Sequence, residues 1–438
     1  NYISISSAEE LVKVAEQIAV GNEEYNNIML SGDIDLADLA ITRSAVASNW
    51  TPIGTSEKPF TGVFDGNGFT IKNLALVETE AKEGKAYIGF FGYAKNATIK
   101  NVTFENVYIN IPCLDIDHSQ GHIGAVAGSL EGTSTIENVT VKGNIFVEAS
   151  TTANGASRVA VVAGGNSYGN VTMKNVHVVA NEGSYLKANN NVGALAGQLQ
   201  GKSVFENCSS NIDVTGTKFF AGGIIGLANN GISNCVNNGD ISLNVGANEK
   251  VTAVGGVIGS AGKLYNSAGS NMLEYYCTVE NCVNNGKVSY CCLSQGQQLY
   301  YGGVAGATHA KVISCKNNGS VTFSTDTEQI KPTLYMAGIA GVSSGDFTDC
   351  HNAGTVGIDN IDFGHWVAMA GITGRSFNYN PITIADCTND GPLYANFIAS
   401  ANQIHNVGGI VAIADGGEIA VDNCHNKANG SISMTTTG

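Results

Sequence analysis

Positive charge is the scarcest property of this 438-residue chain. Lysine and arginine together number 22, against 37 aspartate and glutamate residues, and the formal net charge at pH 7 is −15. The only arginines, Arg43, Arg158 and Arg375, lie far apart in the sequence. Nucleic-acid sites need clustered lysine and arginine, so no nucleic-acid partner is predicted. An anionic polysaccharide would also be repelled over most of this surface.

Proline and long apolar stretches are scarce as well. The chain has 6 prolines, and 13% of its residues are charged against 43% that are hydrophobic, a composition that argues against disorder. No run of 18 apolar residues occurs, so no membrane-spanning segment is predicted. No secretion signal is visible and the chain begins with Asn1, so we expect a processed or truncated product.

Glycine, in contrast, is abundant, with 55 residues, and much of it belongs to a six-residue phrase that recurs along the chain. The phrase usually has an apolar residue, a glycine, three small or apolar residues and a closing glycine. A period of 20 to 50 residues indicates stacked supersecondary units instead of one compact globule. The closing positions lie 29 to 47 residues apart, at Gly92, Gly128, Gly164, Gly197, Gly226, Gly259, Gly306, Gly341, Gly374 and Ala412.

Each repeat unit contains three strand-like stretches, and no helical pattern appears after residue 21. Residues 303–307, 312–315 and 320–323 illustrate one set, with Asn317-Asn318-Gly319 as a turn signal. Three strands per coil, repeated along one axis, predict an all-β fold, a parallel β-helix of about eleven coils over residues 51–438. A leucine-rich or ankyrin solenoid would need a helix in every unit.

Residues 1–50 predict a different structure, an N-terminal cap. Ser7 and Glu10 form a capping box, and Leu11, Val14 and Ile18 make one apolar stripe on a short amphipathic helix. The segment also contains the first short strands. We expect the helix to cover the open end of the stack, where unpaired strand edges would otherwise recruit other chains.

A second phrase follows the first, with an apolar residue, a variable residue, usually Asn, and then Val or Cys. Its two apolar positions are three apart, so both can face a core only if the chain bends at the Asn, which tolerates positive φ. A disulfide framework or a metal ladder is one interpretation of its cysteines. Core packing is favoured, because Val102, Val139 and Val176 hold the same position in earlier copies. The predicted core column is Cys208, Cys235, Cys282, Cys315, Cys350, Cys387 and Cys424.

An asparagine column follows the cysteine column by two residues. In-register Asn side chains can hydrogen-bond from coil to coil as an amide ladder, so we predict a structural role and neither a glycan nor a metal site. No cofactor and no metal is predicted for the chain. The ladder residues are Asn237, Asn284, Asn317, Asn352, Asn389 and Asn426.

Nearly the whole chain resembles a known family, and the residues that carry the resemblance best lie near its N-terminus. These residues are Trp50–Gly54, Phe60–Asn73, Gly89–Gly92 and Ile99–Val102. This arrangement resembles the GLUG-motif surface proteins of bacteria, most strongly over residues 5–110, although later copies carry one extra residue between the glycines and use Cys for Val. The resemblance implies an exported, right-handed, adhesin-like β-helix and no catalytic residues.

Aromatic residues near the longest insertion give the best ligand-site hypothesis. Tyr300 and Tyr335 share a repeat position that strand alternation turns outward. Exposed rings could stack on sugar rings, whereas the alternative is that they pack loops against the stack. The predicted ligand-binding residues are Tyr275, Tyr276, Tyr290, Tyr300, Tyr335, Trp366 and Tyr379.

The sequence therefore predicts an exported, cell-surface β-solenoid, attached to the outer membrane or cell wall, that contacts a host or dietary glycan or surface protein without catalysis. The alternative is a polysaccharide hydrolase or lyase that uses loop carboxylates, since hydrolases need two carboxylates aimed at one groove. The candidate pairs are Asp115 with Asp117 and Asp359 with Asp362.

Overall fold

The computed structural model divides the chain into two compact units, residues 1–212 and 213–438, and each is described by itself. The expected cap and the first coils thus share one unit. The structure describes residues 2–38, 47–78, 86–114, 121–151, 157–189, 191–245, 252–262, 277–292, 298–324, 333–361, 366–377, 381–398 and 404–437.

The N-terminal α-helix spans Ala8–Ala19. Its N-cap is Ser7, whose hydroxyl accepts the Glu10 N–H at 3.2 Å, and the Glu10 carboxylate accepts the Ser6 N–H at 2.7 Å. The reciprocal bond of the capping box therefore reaches one residue further back than the standard motif. The apolar stripe is buried as the sequence predicts. Two 3₁₀ turns follow, at Glu23–Tyr25 and Leu36–Asp38.

From residue 86 onward, the strands of the first unit are arranged in regular coils. The three long strands in this part of the unit continue through the corners of a coil without interruption. The strands of the whole unit are Ile3–Ile5, Asn27–Leu30, Ile34–Asp35, Val63–Asp65, Thr70–Val77, Ala86–Ile88, Phe91–Lys95, Thr98–Leu114, Gly121–Ile123, Ala127–Thr151, Arg158–Ala160, Ala163–Gly165, Gly169–Ala180, Tyr185–Ala188, Asn191–Gly193, Ala196–Leu199, Val204–Glu206 and Ser209–Ser210.

A coil of the second unit contains five short strands, which we call the first to fifth rows. In one coil these are Gln298–Gly302, Ala305–Thr308, Lys311–Ile313, Lys316–Asn317 and Val321–Ser324. The remaining strands are Asp213–Gly216, Phe220–Gly222, Ile225–Ala228, Ile232–Ser233, Val236–Asn237, Ile241–Val245, Thr252–Gly255, Ile258–Ala261, Thr278–Glu280, Val283–Asn284, Val288–Cys292, Thr333–Ala337, Ala340–Ser343, Phe347–Thr348, His351–Asn352, Val356–Ile361, Val367–Ala370, Thr373–Phe377, Ile382–Ala385, Thr388–Asn389, Leu393–Ile398, His405–Gly408, Val411–Asp415, Ile419–Asp422, His425–Asn426 and Ile432–Thr437.

Within each unit, successive coils pair in parallel and in register. Val102, Val139 and Val176 are neighbours in the first unit, and Tyr300 pairs with Tyr335 in the second. The fold is the predicted right-handed parallel β-helix. It makes about nine turns instead of the predicted eleven.

The Asn corner of the second phrase has the predicted geometry. All ten residues in that column have φ between 47° and 55°, including Ser314, Asp349 and Asp386, which replace Asn. This left-handed conformation is tolerated best by Asn, Asp and Gly, so the sequence preference has a direct steric cause. The corner lets the apolar residues on both sides of it point into the interior.

The seven cysteines of the column are thiols and not disulfides, and all except Cys424 are buried. Their thiols donate to carbonyl oxygens, as from Cys315 Sγ to Val279 O at 3.4 Å. Burial raises the pKa of the Cys315 thiol well above its ordinary value. Among the described residues, no three His, Cys, Asp or Glu side chains come together as metal ligands.

Alkylation of the folded protein is expected to modify Cys424 well before Cys315 and Cys350. Cys424 is half-buried, whereas the other two are 1% exposed, and a reagent must reach the thiolate. Pulses of iodoacetamide at pH 8, followed by peptide mass spectrometry, would measure the order. Denatured protein, in which all thiols react, is the control. Equal rates in the native protein, or disulfide-linked peptides, would contradict this core.

The asparagine column forms a side-chain ladder through the second unit. Asn284 Nδ2 donates to Asn317 Oδ1 at 2.9 Å, and Asn317 Nδ2 donates to Asn352 Oδ1 at 2.8 Å. Each amide from Asn237 to Asn389 also donates to the carbonyl oxygen of the glycine two residues later, as from Asn317 to Gly319 at 2.8 Å, whereas Asn426 donates to Gly430 O at 2.7 Å. The side chains of Asn284, Asn317 and Asn352 are fully buried, so these bonds satisfy groups that water does not reach.

Candidate functional site: an outer groove

The candidate site of the second unit lies on the outside of the coils, where first-row and second-row strands meet at the Gly-rich corner. Alternation turns Tyr301 into the interior and Tyr300 outward. Outward side chains of the two rows contact each other across this corner. Tyr300, Tyr335 and Ala307 belong to one such cluster, with Val342 packed against it. We call this surface the outer groove.

The two outward tyrosines are packed more tightly than expected. Tyr300 is 5% and Tyr335 is 3% exposed, and their rings stack with centroids 5.8 Å apart. The Tyr300 hydroxyl donates to Gln298 Oε1. The alternative interpretation, that these rings pack against the stack, therefore describes Tyr300 and Tyr335, and they line the floor of the groove.

Arg375 forms the polar part of the outer groove. It is held by a bidentate pair with Asp415, Nε to Oδ1 at 3.1 Å and Nη2 to Oδ2 at 2.8 Å, and Nη1 donates to the Tyr335 hydroxyl at 3.2 Å. Its guanidinium also lies 4.8 Å from the centroid of the Phe377 ring. Burial opposes its charge, yet Asp415 and Tyr335 together raise the pKa of Arg375. The guanidinium is consequently charged and fixed in position.

Trp366 is the exposed aromatic residue beside this groove, 51% exposed. Its carbonyl oxygen accepts the Leu334 N–H at 3.0 Å, which places it in line with the first row. It precedes Ala368 by two residues, and Ala368 pairs with Tyr335. Because residues two apart on a strand share a face, Trp366 lies on the same outer face as the tyrosines. Ile404 of the next coil, whose carbonyl oxygen accepts the Val367 N–H at 3.3 Å, is 55% exposed.

The structure removes Tyr290 from the candidate site. Its ring is 2% exposed and lies inside the coil, with ring centroids 4.8 Å from both Tyr301 and Phe323. Its strand position points inward, which proximity to the insertion does not reveal. The predicted residues Tyr275, Tyr276 and Tyr379 lie outside the described residues.

The predicted carboxylate pairs cannot be assembled from the described residues. Asp115, Asp117 and Asp362 lie outside them. Asp359 accepts hydrogen bonds from the Tyr394 hydroxyl at 3.1 Å and from Asn396 Nδ2 at 3.3 Å. These bonds join neighbouring coils, which is a structural use of the carboxylate.

The first unit has a corresponding groove that the sequence analysis missed. His122 and Arg158 occupy the outward first-row position, and Ser129 occupies the outward second-row position, all buried. His122 Nδ1 and the Ser129 hydroxyl are 2.9 Å apart, and Ser129 donates to Glu131 at 3.0 Å. Burial lowers the pKa of Arg158 to about 10, although Glu131 opposes the shift. A polar residue immediately after the closing glycine was the available signal.

A cleft of about 580 Å³ lies between the N-terminal helix and residues 48–58. Its walls include Ala15 of the helix and Trp50. The amide of Asn49, which also lines it, is already bonded to Asn73 O at 2.7 Å and to the Ala75 N–H at 2.9 Å. Since this amide serves the backbone of a strand, we do not place the candidate site in the cleft.

Comparisons with known proteins add partial likenesses. No family model matches the chain. It is 29% identical over 143 residues to Halomucin from Haloquadratum walsbyi, which covers 31% of this chain and 1% of Halomucin. The crystal structure of a putative immunoglobulin A1 protease from Bacteroides ovatus matches with a TM-score of 0.42 and 20% identity, over 66% of this chain and 77% of that one. Neither likeness is close enough to transfer an activity. In the described part of the chain, no helix is long and apolar enough to cross a membrane.

Proposed function

We propose that this protein is an exported, cell-surface β-solenoid, of the kind found in GLUG-motif proteins, that binds a host or dietary glycan or a surface protein without catalysis. The observation that supports it is an exposed indole, Trp366, beside a polar and aromatic groove with a fixed arginine. Sugar and protein ligands are both bound by rigid aromatic faces with a few oriented polar groups at their edges.

The arrangement of the groove favours contact over chemistry. Arg375 is already paired with Asp415, so neither is poised as a free acid, base or cation. The stacked tyrosines form a fixed floor, so little side-chain freedom is lost when a ligand is bound. Trp366 supplies the apolar surface that a ligand would cover.

Replacing Trp366 with alanine is expected to weaken ligand binding about tenfold, or about 1.4 kcal/mol, because the stacking surface is lost. The measurement is binding of the full chain to a glycan array and to immobilised host surface proteins. Tyr2→Ala, which removes a 46% exposed ring from the first unit, is the matched control.

A reducing-sugar release assay on every bound glycan separates the proposal from the polysaccharide-degrading alternative. Binding without release supports a contact protein, and release of sugar ends supports the alternative. Unchanged binding by Trp366→Ala, or no binding by the parent chain to either class of ligand, would contradict the proposal.

A further inference from the structure

In the first unit, buried charged groups hold the backbone that carries a second exposed ring. Tyr168 is 81% exposed, the highest fraction among the large hydrophobic residues that the structure describes. It lies in the turn between Ala163–Gly165 and Gly169–Ala180. A side chain this exposed adds little to packing, and single exposed rings are common, so the informative feature is how the backbone of Tyr168 is held.

Glu131 fixes the backbone of this turn from the neighbouring coil. Gly132 pairs with Gly169, so Glu131 is in register with Tyr168. The carboxylate accepts the Ser167 N–H at 2.8 Å on Oε1 and the Tyr168 N–H at 2.9 Å on Oε2. Only 5% of Glu131 is exposed, so these are charge-assisted bonds largely shielded from water.

Arg158 holds the same turn from its other side. The guanidinium, 5% exposed, donates to the Asn166 carbonyl oxygen and lies 3.5 Å from the Ser167 hydroxyl. Gly169 ends the turn with φ of +123°, and a Cβ there would overlap the Gly132 carbonyl oxygen. The backbone that presents Tyr168 is therefore fixed along its whole length.

Stability alone does not explain this arrangement. Apolar residues of similar volume would stabilise the coil at least as well as two buried charged groups, because each charge loses its hydration. Both charged groups bind the one turn that contains the exposed ring, and this is the arrangement expected if the turn serves to present that ring to a ligand. A backbone that is ordered before binding loses little freedom when a partner stacks on the ring that it carries.

We propose that Tyr168 is a contact residue for a neutral glycan, stacking on the apolar C–H face of a pyranose ring, and that Glu131 is its positioning residue. A neutral glycan is preferred because a chain of net charge −15 repels anionic ones. The site lies in the first unit and does not include Trp366, so it goes beyond the function proposed above.

The test uses the full chain and an array of neutral oligosaccharides ending in glucose, galactose, mannose or N-acetylglucosamine. In the Trp366→Ala background, which removes the site proposed for the other unit, Tyr168→Ala is expected to weaken the remaining binding at least tenfold, whereas Tyr168→Phe keeps the ring and the affinity. Val179→Ala, at a 50% exposed position on the following strand, is the matched control. No binding by the parent chain, or equal binding by Tyr168→Ala, overturns the proposal. Loss with Trp366→Ala alone assigns binding to the other unit and overturns it too.

The positioning role of Glu131 has its own readout. Glu131→Gln is expected to speed amide hydrogen exchange at Ser167 and Tyr168 and to weaken binding severalfold when Tyr168 is present. In the Y168A background the same change should leave residual binding unaltered, because Glu131 acts through the ring. Equal losses in both backgrounds, or unchanged exchange, would overturn the positioning role.

Discussion

Gly303→Ala is expected to lower the free energy of unfolding by more than about 4 kcal/mol, a very large loss for the addition of one methyl group. A Cβ at Gly303 would overlap the carbonyl oxygen of Gly338 in the next coil and the side chain of Asn317. Neither is the free end of a flexible chain, so the coil spacing itself must change. The measurement is urea unfolding followed by circular dichroism, with hydrogen exchange of the neighbouring strands.

Gly231→Ala is the matched control within the same unit. A Cβ there would lie 3.5 Å from the Thr278 carbonyl oxygen, which is ordinary contact, and its φ is not in the left-handed region. We expect the free energy of unfolding of this variant to lie within about 0.5 kcal/mol of the parent value. A Gly303→Ala protein as stable as this control would mean that the corner does not pack as described.

Asn352→Ala is expected to lower the free energy of unfolding by about 3 kcal/mol. The Asn352 amide donates to Gly354 O at 2.8 Å and to Asn389 Oδ1 at 2.7 Å, and it accepts from Asn317 at 2.8 Å. Truncation leaves three buried polar groups without these partners, and each loses its bond without regaining water. Loss of exchange protection should begin in the coils on both sides, because each repeat contacts its neighbours.

Asn352→Asp separates hydrogen bonding from shape, since the two side chains have nearly the same size. The carboxylate cannot donate to Gly354 or Asn389, and burial disfavours its charge, so its folded-state pKa is expected above the unfolded value of about 3.9. Stability relative to the parent is then greatest below about pH 4 and falls as the pH rises from about 4 to the raised pKa of the folded state. A difference from the parent that does not vary between pH 4 and pH 7 would contradict the ladder.

The repeat made the class of fold predictable, because glycine, Asn and Cys each recur at positions set by steric rules. The corner at Asn101 and its counterparts could be predicted from two facts, that the apolar residues of the phrase are three positions apart and that Asn tolerates positive φ. The contact between Gly303 and Asn317 was not predictable, although both columns were recognised. These two residues, 14 apart in sequence, meet only because the chain bends round to complete the coil. The angle of that bend cannot be derived from the spacing of the repeat residues.

The candidate sites were harder to predict than the fold, for the same reason. Alternation turned Tyr335 outward, but its burial depends on the angle at the corner, which brings the outer faces of two rows together. Arg375 was known only as an isolated arginine, yet it follows a closing glycine and thereby meets Tyr335. Tyr168 gave no signal, since its support comes from Glu131, 37 residues away in the previous coil.

The hydrogen-bond distances in the amide ladder do not depend on how many residues separate its members in sequence. Asn237 and Asn284 are 47 residues apart and Asn284 and Asn317 only 33, yet both links measure 2.9 Å. The next three links, with 35 or 37 residues between partners, measure 2.7 to 2.8 Å. A coil can thus acquire or lose a long excursion at its periphery while its neighbours keep their alignment. Such a scaffold lets new surface segments be tried over evolutionary time without refolding the framework that carries them.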